Sequence, residues 1–239
     1  MTTTWTAVDQ KLDVFLNDPL AQNDDGTYRV QTYDRRLRIN SWNWAQDIFV
    51  HHTPMQRRLT LTMRSGNREA ILPEGWYAVE GIYDPDEGQW WMPMSRRPGY
   101  HQAEDETVLE YWVWDNRLYL QDSVSRDLVL YYWAYWPALE YTVGDNIGRE
   151  NAPVYDIAMK AEQILVPRWA EIAMIHLTCA SCLVPGAIEA SDINQWKVWI
   201  DAGNPEHNPR LQQAWYHMQM YDNIMTRVPP AYSRRDVWQ

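Results

Sequence analysis

The chain contains only two cysteines, Cys179 and Cys182, among its 239 residues. A disulfide scaffold needs more, and so low a count is typical of a reducing compartment. The first ten residues, MTTTWTAVDQ, lack the basic and apolar regions of a signal peptide. No run approaches the roughly 18 apolar residues of a membrane span. We therefore expect a soluble chain that is made in the cytoplasm and does not engage a membrane.

Basic residues are fewer than acidic ones. The chain contains 21 Lys and Arg and 32 Asp and Glu, which gives a formal charge of -11. Proteins that bind nucleic acid through its phosphates draw affinity from clustered Lys and Arg, which release counterions. The composition therefore argues against such binding by the chain as a whole. Local basic sites stay open at Arg35, Arg36 and Arg38 or at Arg234 and Arg235.

Phenylalanine is nearly absent, with 2 residues against 15 Trp and 15 Tyr. Trp and Tyr combine a large apolar area with a polar group, which suits partly hydrated surfaces better than dry cores. This bias is a first indication that the chain assembles with other chains.

Patterns that would support catalysis are missing from the sequence. There is no G-x-x-x-x-G-K-[ST] phosphate loop and no G-x-S-x-G elbow. The acidic groups at 24–25, 84–87 and 104–106 lack the spacing of a calcium loop and lie in turn-like sequence. We therefore expect a protein that is not an enzyme, with no catalytic residues and no cofactor.

One segment has the spacing of metal ligands. In HLTCASC, His176, Cys179 and Cys182 follow at i, i+3 and i+6, close enough on a helix for three ligands of one zinc ion. A fourth ligand is not evident, and cysteines in an apolar helix usually belong to a core. We expect both cysteines to be reduced and free of metal.

Apolar spacing of three and four residues predicts helices in both terminal parts of the chain. Such helices are expected from Trp5 to Leu16, from Tyr33 to Ile48, from Val154 to Leu177 with a break at Pro167, and at 193–200 and 211–225. Between 59 and 135 the period changes to two, which predicts strands. The strand candidates are RLTLTM, EAILP, WYAVEGIYD, QWWMPM, VLEYWVW, RLYLQD and DLVLYYWAY, and a tight hairpin is expected at Asp115-Asn116.

The last of these strands carries apolar or aromatic residues on both of its faces. Successive side chains of a strand alternate between faces. Leu128, Leu130, Tyr132 and Ala134 therefore share one side, and Val129, Tyr131, Trp133 and Tyr135 share the other. Such a strand is expected either inside a sandwich or at a contact between chains.

Together these elements predict an α+β protein. Its helical bundle is built from N- and C-terminal helices, with an inserted antiparallel β domain and an extended C-terminal arm. The predicted parts are N-terminal helices at 1–57, the β domain at 58–136, C-terminal helices at 137–227 and the arm at 228–239.

The order of these elements resembles that of the head-to-tail adaptor proteins of tailed bacteriophages, also called connector or neck proteins. The resemblance covers nearly the whole chain. It rests on FLNDP in the first helix, YDRRLRINSWNWAQDIF in the second, NRLYLQDSVSRDLVLYYWAYWPAL at the end of the β segment, and the helices and tail that follow. The high Trp content departs from the family pattern.

The resemblance implies a structural virion protein that is assembled in the host cytoplasm and lies in the neck between capsid and tail. It implies a homo-oligomeric ring, expected to be a dodecamer, that binds beneath the portal protein and contacts tail or tail-tube proteins. Double-stranded DNA would pass through the lumen without specific binding. The implied portal-docking residues of the arm are Pro229, Pro230, Tyr232, Arg234, Arg235 and Trp238, and the implied subunit or tail contacts are Tyr131, Trp133, Tyr135 and Trp136.

Two other functions remain open at this point. A carbohydrate-binding protein, or another tail-associated β-domain binding protein, would also expose Trp and Tyr, because these rings stack on partner surfaces. A small hydrolase is the more distant alternative.

Overall fold

The computed structural model describes residues 3–19, 31–64, 66–93, 109–143, 157–160, 163–184 and 208–228. The chain separates into two compact units. The helical unit consists of Met1–Thr53 and Trp136–Gln239, and the β unit consists of Pro54–Tyr135.

The described elements follow one another as a short strand and two helices, a long series of strands, and two further helices. In chain order they are β1 (Thr3–Thr4), α1 (Trp5–Phe15), α2 (Arg35–Phe49), β2 (Met55–Thr62), β3 (Glu69–Ile71), β4 (Trp76–Asp84), β5 (Gln89–Pro93), β6 (Glu110–Trp114), β7 (Arg117–Leu120), β8 (Asp127–Ala134), β9 (Tyr141–Val143), β10 (Ile157–Met159), β11 (Gln163–Ile164), α3 (Glu171–Leu183) and α4 (Pro209–Met225).

Side-chain caps define the beginnings of three of the four helices. The Thr4 hydroxyl accepts a hydrogen bond from the Ala7 N–H at 3.3 Å, and the Asp34 carboxylate accepts one from the Leu37 N–H at 2.7 Å. Asn208 caps α4, whose first residue is Pro209. These partners satisfy N–H groups that lack an intrahelical acceptor, so the sequence itself marks where these three helices start.

Helix α3 forms the centre of the helical unit. Almost all of its side chains are buried, and it packs against α1, α2 and α4. A helix that is apolar on all sides is stable only when it is surrounded. The other helices are amphipathic by comparison, and α1 buries Trp5, Val8 and Leu12. Trp5 meets Trp42 of α2 edge to face, with 6.1 Å between the ring centroids.

A buried guanidinium joins α1 to α2. Arg38 is 1% exposed and donates to Asp13 at 2.6 Å, to Asp9 at 3.1 Å and to Asp18 at 3.3 Å. Its Nε donates to the Tyr33 carbonyl at 2.7 Å. Burial raises the pKa of Asp9, against the lowering effect of Arg38. Arg38 is therefore committed to carboxylates and cannot serve as a site for DNA phosphates.

The β unit is a single curled sheet with the strand order β2-β8-β4-β5-β6-β7-β3. All neighbours are antiparallel except β5 and β6, which run parallel. Every one of the seven strands sends side chains into one core. Its buried members include Leu61, Ile82, Trp91, Tyr111, Leu118, Leu120, Leu128, Leu130 and Tyr132, with Ala70 of β3 packed against them.

The hairpin between β6 and β7 turns at the expected pair. Asp115 and Asn116 both have positive φ angles, 46° and 60°. Asn and Asp tolerate this conformation, and a two-residue turn of this kind matches the twist of the strands it joins. The Asn116 side chain also accepts a hydrogen bond from the Trp76 indole at 3.0 Å.

The predicted fold class is wrong. The described residues contain four helices and a large curled seven-stranded sheet, so the protein is a mixed α/β structure dominated by β rather than a helical bundle with a small β insertion. The inserted sheet is also not purely antiparallel, since β5 and β6 are parallel.

The error is clearest in the segment predicted as a helix from Val154 onward. Its described parts are the strands β10 and β11, and helix begins only at Glu171, after Pro167. Short apolar runs with β-branched residues satisfy helical and extended periods alike, so spacing could not decide between them. The helix predicted at 193–200 lies outside the described residues.

We expect Arg38→Ala to destabilise the protein by about 3–5 kcal/mol, because it leaves three partly buried carboxylates without their cation. Arg36→Ala is the matched control: Arg36 lies two residues away on α2 and is exposed. Its loss should change stability by at most about 0.5 kcal/mol. Urea unfolding of both variants measures the difference. Equal midpoints would show that the Arg38 cluster does not stabilise the fold.

Candidate interaction surface

Strand β8 divides its side chains cleanly between the core and the outside. Leu128, Leu130, Tyr132 and Ala134 are buried, whereas Val129, Tyr131 and Trp133 are only half-buried. The alternation expected from the sequence is therefore confirmed. Among the described residues, however, only one face of the strand is packed into a core.

The same division continues across the whole sheet. Trp91 and Tyr111 point into the core, so their neighbours Trp90 and Trp112 point away from it, as the two-residue period requires. We call the outward set the outer aromatic face. It consists of Tyr77, Tyr83, Trp90, Trp112, Trp114, Tyr119, Tyr131, Trp133 and Tyr135.

The rings of the outer aromatic face contact one another across strands. Trp90 lies between Tyr83 and Tyr131, with centroid distances of 5.2 and 5.3 Å. A Cβ atom at Gly81 would lie 3.2 Å from the Trp90 ring, so the glycine leaves the space in which this indole sits. These contacts hold the aromatic side chains in place before any partner binds.

Two further ring pairs extend the face in both directions. Trp112 stacks on Tyr119 with centroids 5.3 Å apart and an angle of 9° between the ring planes. Tyr77 meets Tyr135 edge to face at 5.3 Å. Aromatic pairs at such distances add stability beyond their buried area. The rings therefore form an ordered surface.

Much of this surface remains open to water. Trp90 is 50% exposed and Trp114 is 72% exposed, and Met92 beside Trp90 is exposed as well. Single exposed apolar residues are ordinary, but a contiguous set rich in Trp and Tyr is characteristic of a contact surface for another molecule.

Polar groups border the face on the side of β2. Arg58 is exposed and lies opposite Tyr131 in the β2–β8 ladder. Gln56, opposite Trp133, donates a hydrogen bond to Glu80 at 2.7 Å. An aromatic centre with a polar rim is the usual composition of a protein–protein interface.

The predicted contact residues divide between the two units. Tyr131, Trp133 and Tyr135 belong to the outer aromatic face. Trp136 does not: it is 9% exposed, it donates its indole N–H to the Thr53 carbonyl at 2.8 Å, and it packs near Phe49 in the helical unit. Trp136 is a core residue of the folded chain, so its assignment to a subunit or tail contact needs correction.

The proposed docking arm lies outside the described residues. This applies to Pro229, Pro230, Tyr232, Arg234, Arg235 and Trp238. The role of these side chains stays a prediction.

Sequence reasoning missed most of the outer aromatic face. Trp90, Trp112, Trp114 and Tyr119 lie in segments that it recognised as strands, and each alternates with a core residue. The signal was therefore present. The sequence did not indicate which of the two aromatic faces would be buried, because Trp91 and Tyr111 are large aromatic residues just as Trp90 and Trp112 are.

A buried histidine pair is the second notable cluster. His176 of α3 and His217 of α4 approach each other with 2.9 Å between their Nδ1 atoms, and Phe15 packs edge-on to His176 at 5.1 Å. One ring must donate and the other accept. Burial lowers the pKa of His176, and burial together with His176 lowers the pKa of His217 to about 4.

The neighbouring cysteines are both buried. Burial raises the pKa of the Cys179 thiol well above its ordinary value and raises the pKa of Cys182 to about 11. Both are therefore held as unreactive thiols. In the part of the chain that the structure describes, no three His, Cys, Asp or Glu side chains are grouped so that they could hold a metal ion.

No protein-family model matches the sequence, and no curated protein matches it at a significant level. Among the helices of the described ranges, none combines the length and the apolar character needed to cross a membrane.

We expect the histidine pair to make stability depend on pH. In the unfolded chain the imidazoles bind protons below a pKa of about 6.5, whereas folded His217 does so only near 4. The unfolded state therefore gains protons first, and stability falls as pH decreases from about 6.5 to 4. The loss from His217 should approach 3 kcal/mol.

Urea unfolding at a series of pH values measures this effect. His217→Gln keeps a polar side chain that does not titrate, so its stability should depend less on pH over this range. A wild-type curve with no decrease below pH 6.5 would contradict the assignment.

Proposed function

We propose that this chain is a structural subunit of the neck of a tailed bacteriophage, a head-to-tail adaptor that assembles as a ring beneath the portal. In this function the ring connects the capsid to the tail, and DNA passes through its channel without specific binding. The observation that carries the proposal is the outer aromatic face. The resemblance of the sequence supplies the class of assembly, although Ile157–Met159 and Gln163–Ile164 form strands where that resemblance implied helix.

The outer aromatic face has the properties of a contact with other subunits or with tail proteins. Trp and Tyr are the residue types that contribute most binding energy at such contacts. Contacts with the aromatic side chains of Tyr83 and Tyr131 fix the position of Trp90. Little side-chain entropy is therefore lost when a partner covers Trp90. A ring subunit needs extensive lateral and axial contacts of this kind.

Carbohydrate binding is the second candidate, because exposed indoles can stack on sugar rings. The half-exposed Trp90 and the exposed Trp114 favour it. The packing of the face favours a protein partner more strongly. A sugar stacks on the free flat side of a ring, whereas Trp112 and Tyr119 cover one side of each other and Trp90 is tilted against two tyrosines.

Substituting the outer aromatic face should weaken assembly while leaving the fold intact. We expect the double variant Trp90→Ala and Tyr131→Ala to reduce the association constant at least tenfold, because each residue that anchors an interface contributes roughly 2 kcal/mol or more. Sedimentation with and without purified cognate portal rings measures the association. Trp169→Ala is the control, since Trp169 is comparably exposed but lies in the helical unit.

Three outcomes would contradict the proposal. The wild type could remain monomeric in the presence of portal, or the double variant could assemble like the wild type. The wild type could also bind a polysaccharide array without assembling, and the double variant could lose that binding. This result would favour the carbohydrate-binding alternative. Circular dichroism of the variant establishes that its sheet is retained.

Removal of residues 229–239 should abolish portal binding and leave the melting temperature nearly unchanged. The reason is compositional: the segment contains two prolines, two arginines, a Tyr and a Trp, which are anchor types at interfaces. A variant with Arg234 and Arg235 changed to Ala tests the charged anchors alone. Portal binding by the truncated chain at wild-type affinity would remove the arm from the proposal.

A further inference from the structure

Among the described residues, the two edge strands of the β unit direct backbone hydrogen-bonding groups away from the sheet. Strands β2 and β3 are the first and last strands of the sheet order. In an antiparallel ladder each residue directs its N–H and C=O to the same side, and successive residues alternate. The hydrogen bonds that each edge strand makes with its neighbour inside the sheet therefore show which of its residues direct their backbone groups outward.

On β2 the outward residues can be assigned from the ladder with β8. The register is uninterrupted from Met55 opposite Ala134 to Thr62 opposite Asp127. It continues in a hydrogen bond from the Met63 N–H to the Arg126 carbonyl at 3.1 Å. Met63 and the odd-numbered residues before it therefore face β8. The backbone groups directed outward belong to Gln56, Arg58, Thr60 and Thr62.

On β3 the same argument identifies a shorter edge. The Leu72 N–H donates to the Asn116 carbonyl at 3.0 Å, and the Leu120 N–H donates to the Arg68 carbonyl at 2.8 Å. Residues 68, 70 and 72 therefore face β7. The backbone groups directed outward belong to Glu69 and Ile71.

An arginine of one edge and a glutamate of the other lie on the same side of the sheet. Arg58 lies opposite Tyr131 and Glu69 lies opposite Tyr119, so both side chains are on the outer aromatic face. Both are exposed, and Ile71 beside Glu69 is an exposed apolar residue. Within the same subunit Arg117 of β7 donates to Oε1 of Glu69 at 2.8 Å, so an arginine from another copy would bind at the second carboxylate oxygen. Opposite charges that face each other across neighbouring strands stabilise the pairing, whereas like charges destabilise it.

We propose that β2 of one copy pairs with β3 of a second copy, which continues the sheet from one subunit to the next. This proposal rests on the self-assembly proposed above and identifies its lateral contact. The charged side chains of β2 determine which edge of a second copy can pair with it. Pairing of β2 with another β2 would bring Arg57 and Arg58 toward their own copies, whereas β3 offers the carboxylate of Glu69.

This contact repeats from one subunit to the next. The two surfaces are different, so each subunit keeps one free edge after binding a neighbour, and a rotation that closes gives the proposed ring. Backbone hydrogen bonds give the contact its register. In an antiparallel contact with Arg58 opposite Glu69, the exposed Ile71 lies opposite Gln56 of the neighbour.

A short bis-maleimide crosslinker tests the pairing. The variant with Arg58→Cys and Glu69→Cys should give a series of covalent multimers larger than dimers. Each single variant should give no such series. Cys179 and Cys182 are buried thiols with raised pKa values, so they should not react. Dimers from Arg58→Cys alone, or a crosslink within one chain, would overturn the proposal.

A proline substitution tests the backbone contribution. In Thr60→Pro the lost N–H is one that points away from β8, so the internal ladder keeps its hydrogen bonds. We expect Thr60→Pro to weaken self-association at least tenfold and Thr60→Ala to change it less than threefold. Far-ultraviolet circular dichroism of the monomers shows whether the sheet is intact. Equal association of the two folded variants would overturn the proposal.

The two proposals can fail separately. A wild type that forms rings on the portal, together with Thr60→Pro rings of the same stability, rejects only the edge contact. A crosslinked series without portal binding supports the edge contact and rejects the neck function. A wild type that stays monomeric in all conditions rejects both.

Discussion

Burial of one face of the curled sheet is the constraint on which the β unit depends. All seven strands contribute to a single core, and side chains alternate between the two faces except where β4 shifts register against β8. Once Trp91, Tyr111 and Tyr132 are directed inward, the residues next to them must be directed outward. The outer aromatic face is therefore a necessary consequence of a core built from strands whose sequences are aromatic on both sides.

The helical unit differs from the β unit because its structure also depends on a buried charged side chain. Arg38 is satisfied by three aspartates, two of them in α1, and by the backbone carbonyls of Asp18 and Tyr33 before α2. A buried cation without these partners would cost several kcal/mol. The cluster therefore fixes how α1 packs on α2, while His176 and His217 join α3 to α4 in a way that excludes simultaneous protonation.

The sequence predicted local structure better than it predicted architecture. WYAVEGIYD corresponds end to end to β4, and Asp115-Asn116 forms the hairpin turn, because alternation and positive φ preferences are local properties. Three features depend on long-range packing and could not be predicted from the sequence. They are the strands in place of a helix after residue 154, the parallel pairing of β5 with β6, and the inward position of Trp136. For the surface, the sequence identified Tyr131 and Trp133 but not Trp90 or Trp112, since nothing local tells which aromatic face becomes the core.

The outer aromatic face and the sheet edges would contribute different properties to an assembly. Aromatic surface supplies affinity without strict direction, because its main contribution is the removal of apolar area from water. Backbone groups at Arg58 and Thr60 of β2 and at Glu69 of β3 supply direction, because a one-residue shift in register reverses which side chains share a face. In the proposed pairing Arg58 and Glu69 remain on the outer aromatic face of both copies. A continuous sheet would therefore present the aromatic residues of successive subunits on one common surface, available to the next component of the assembly.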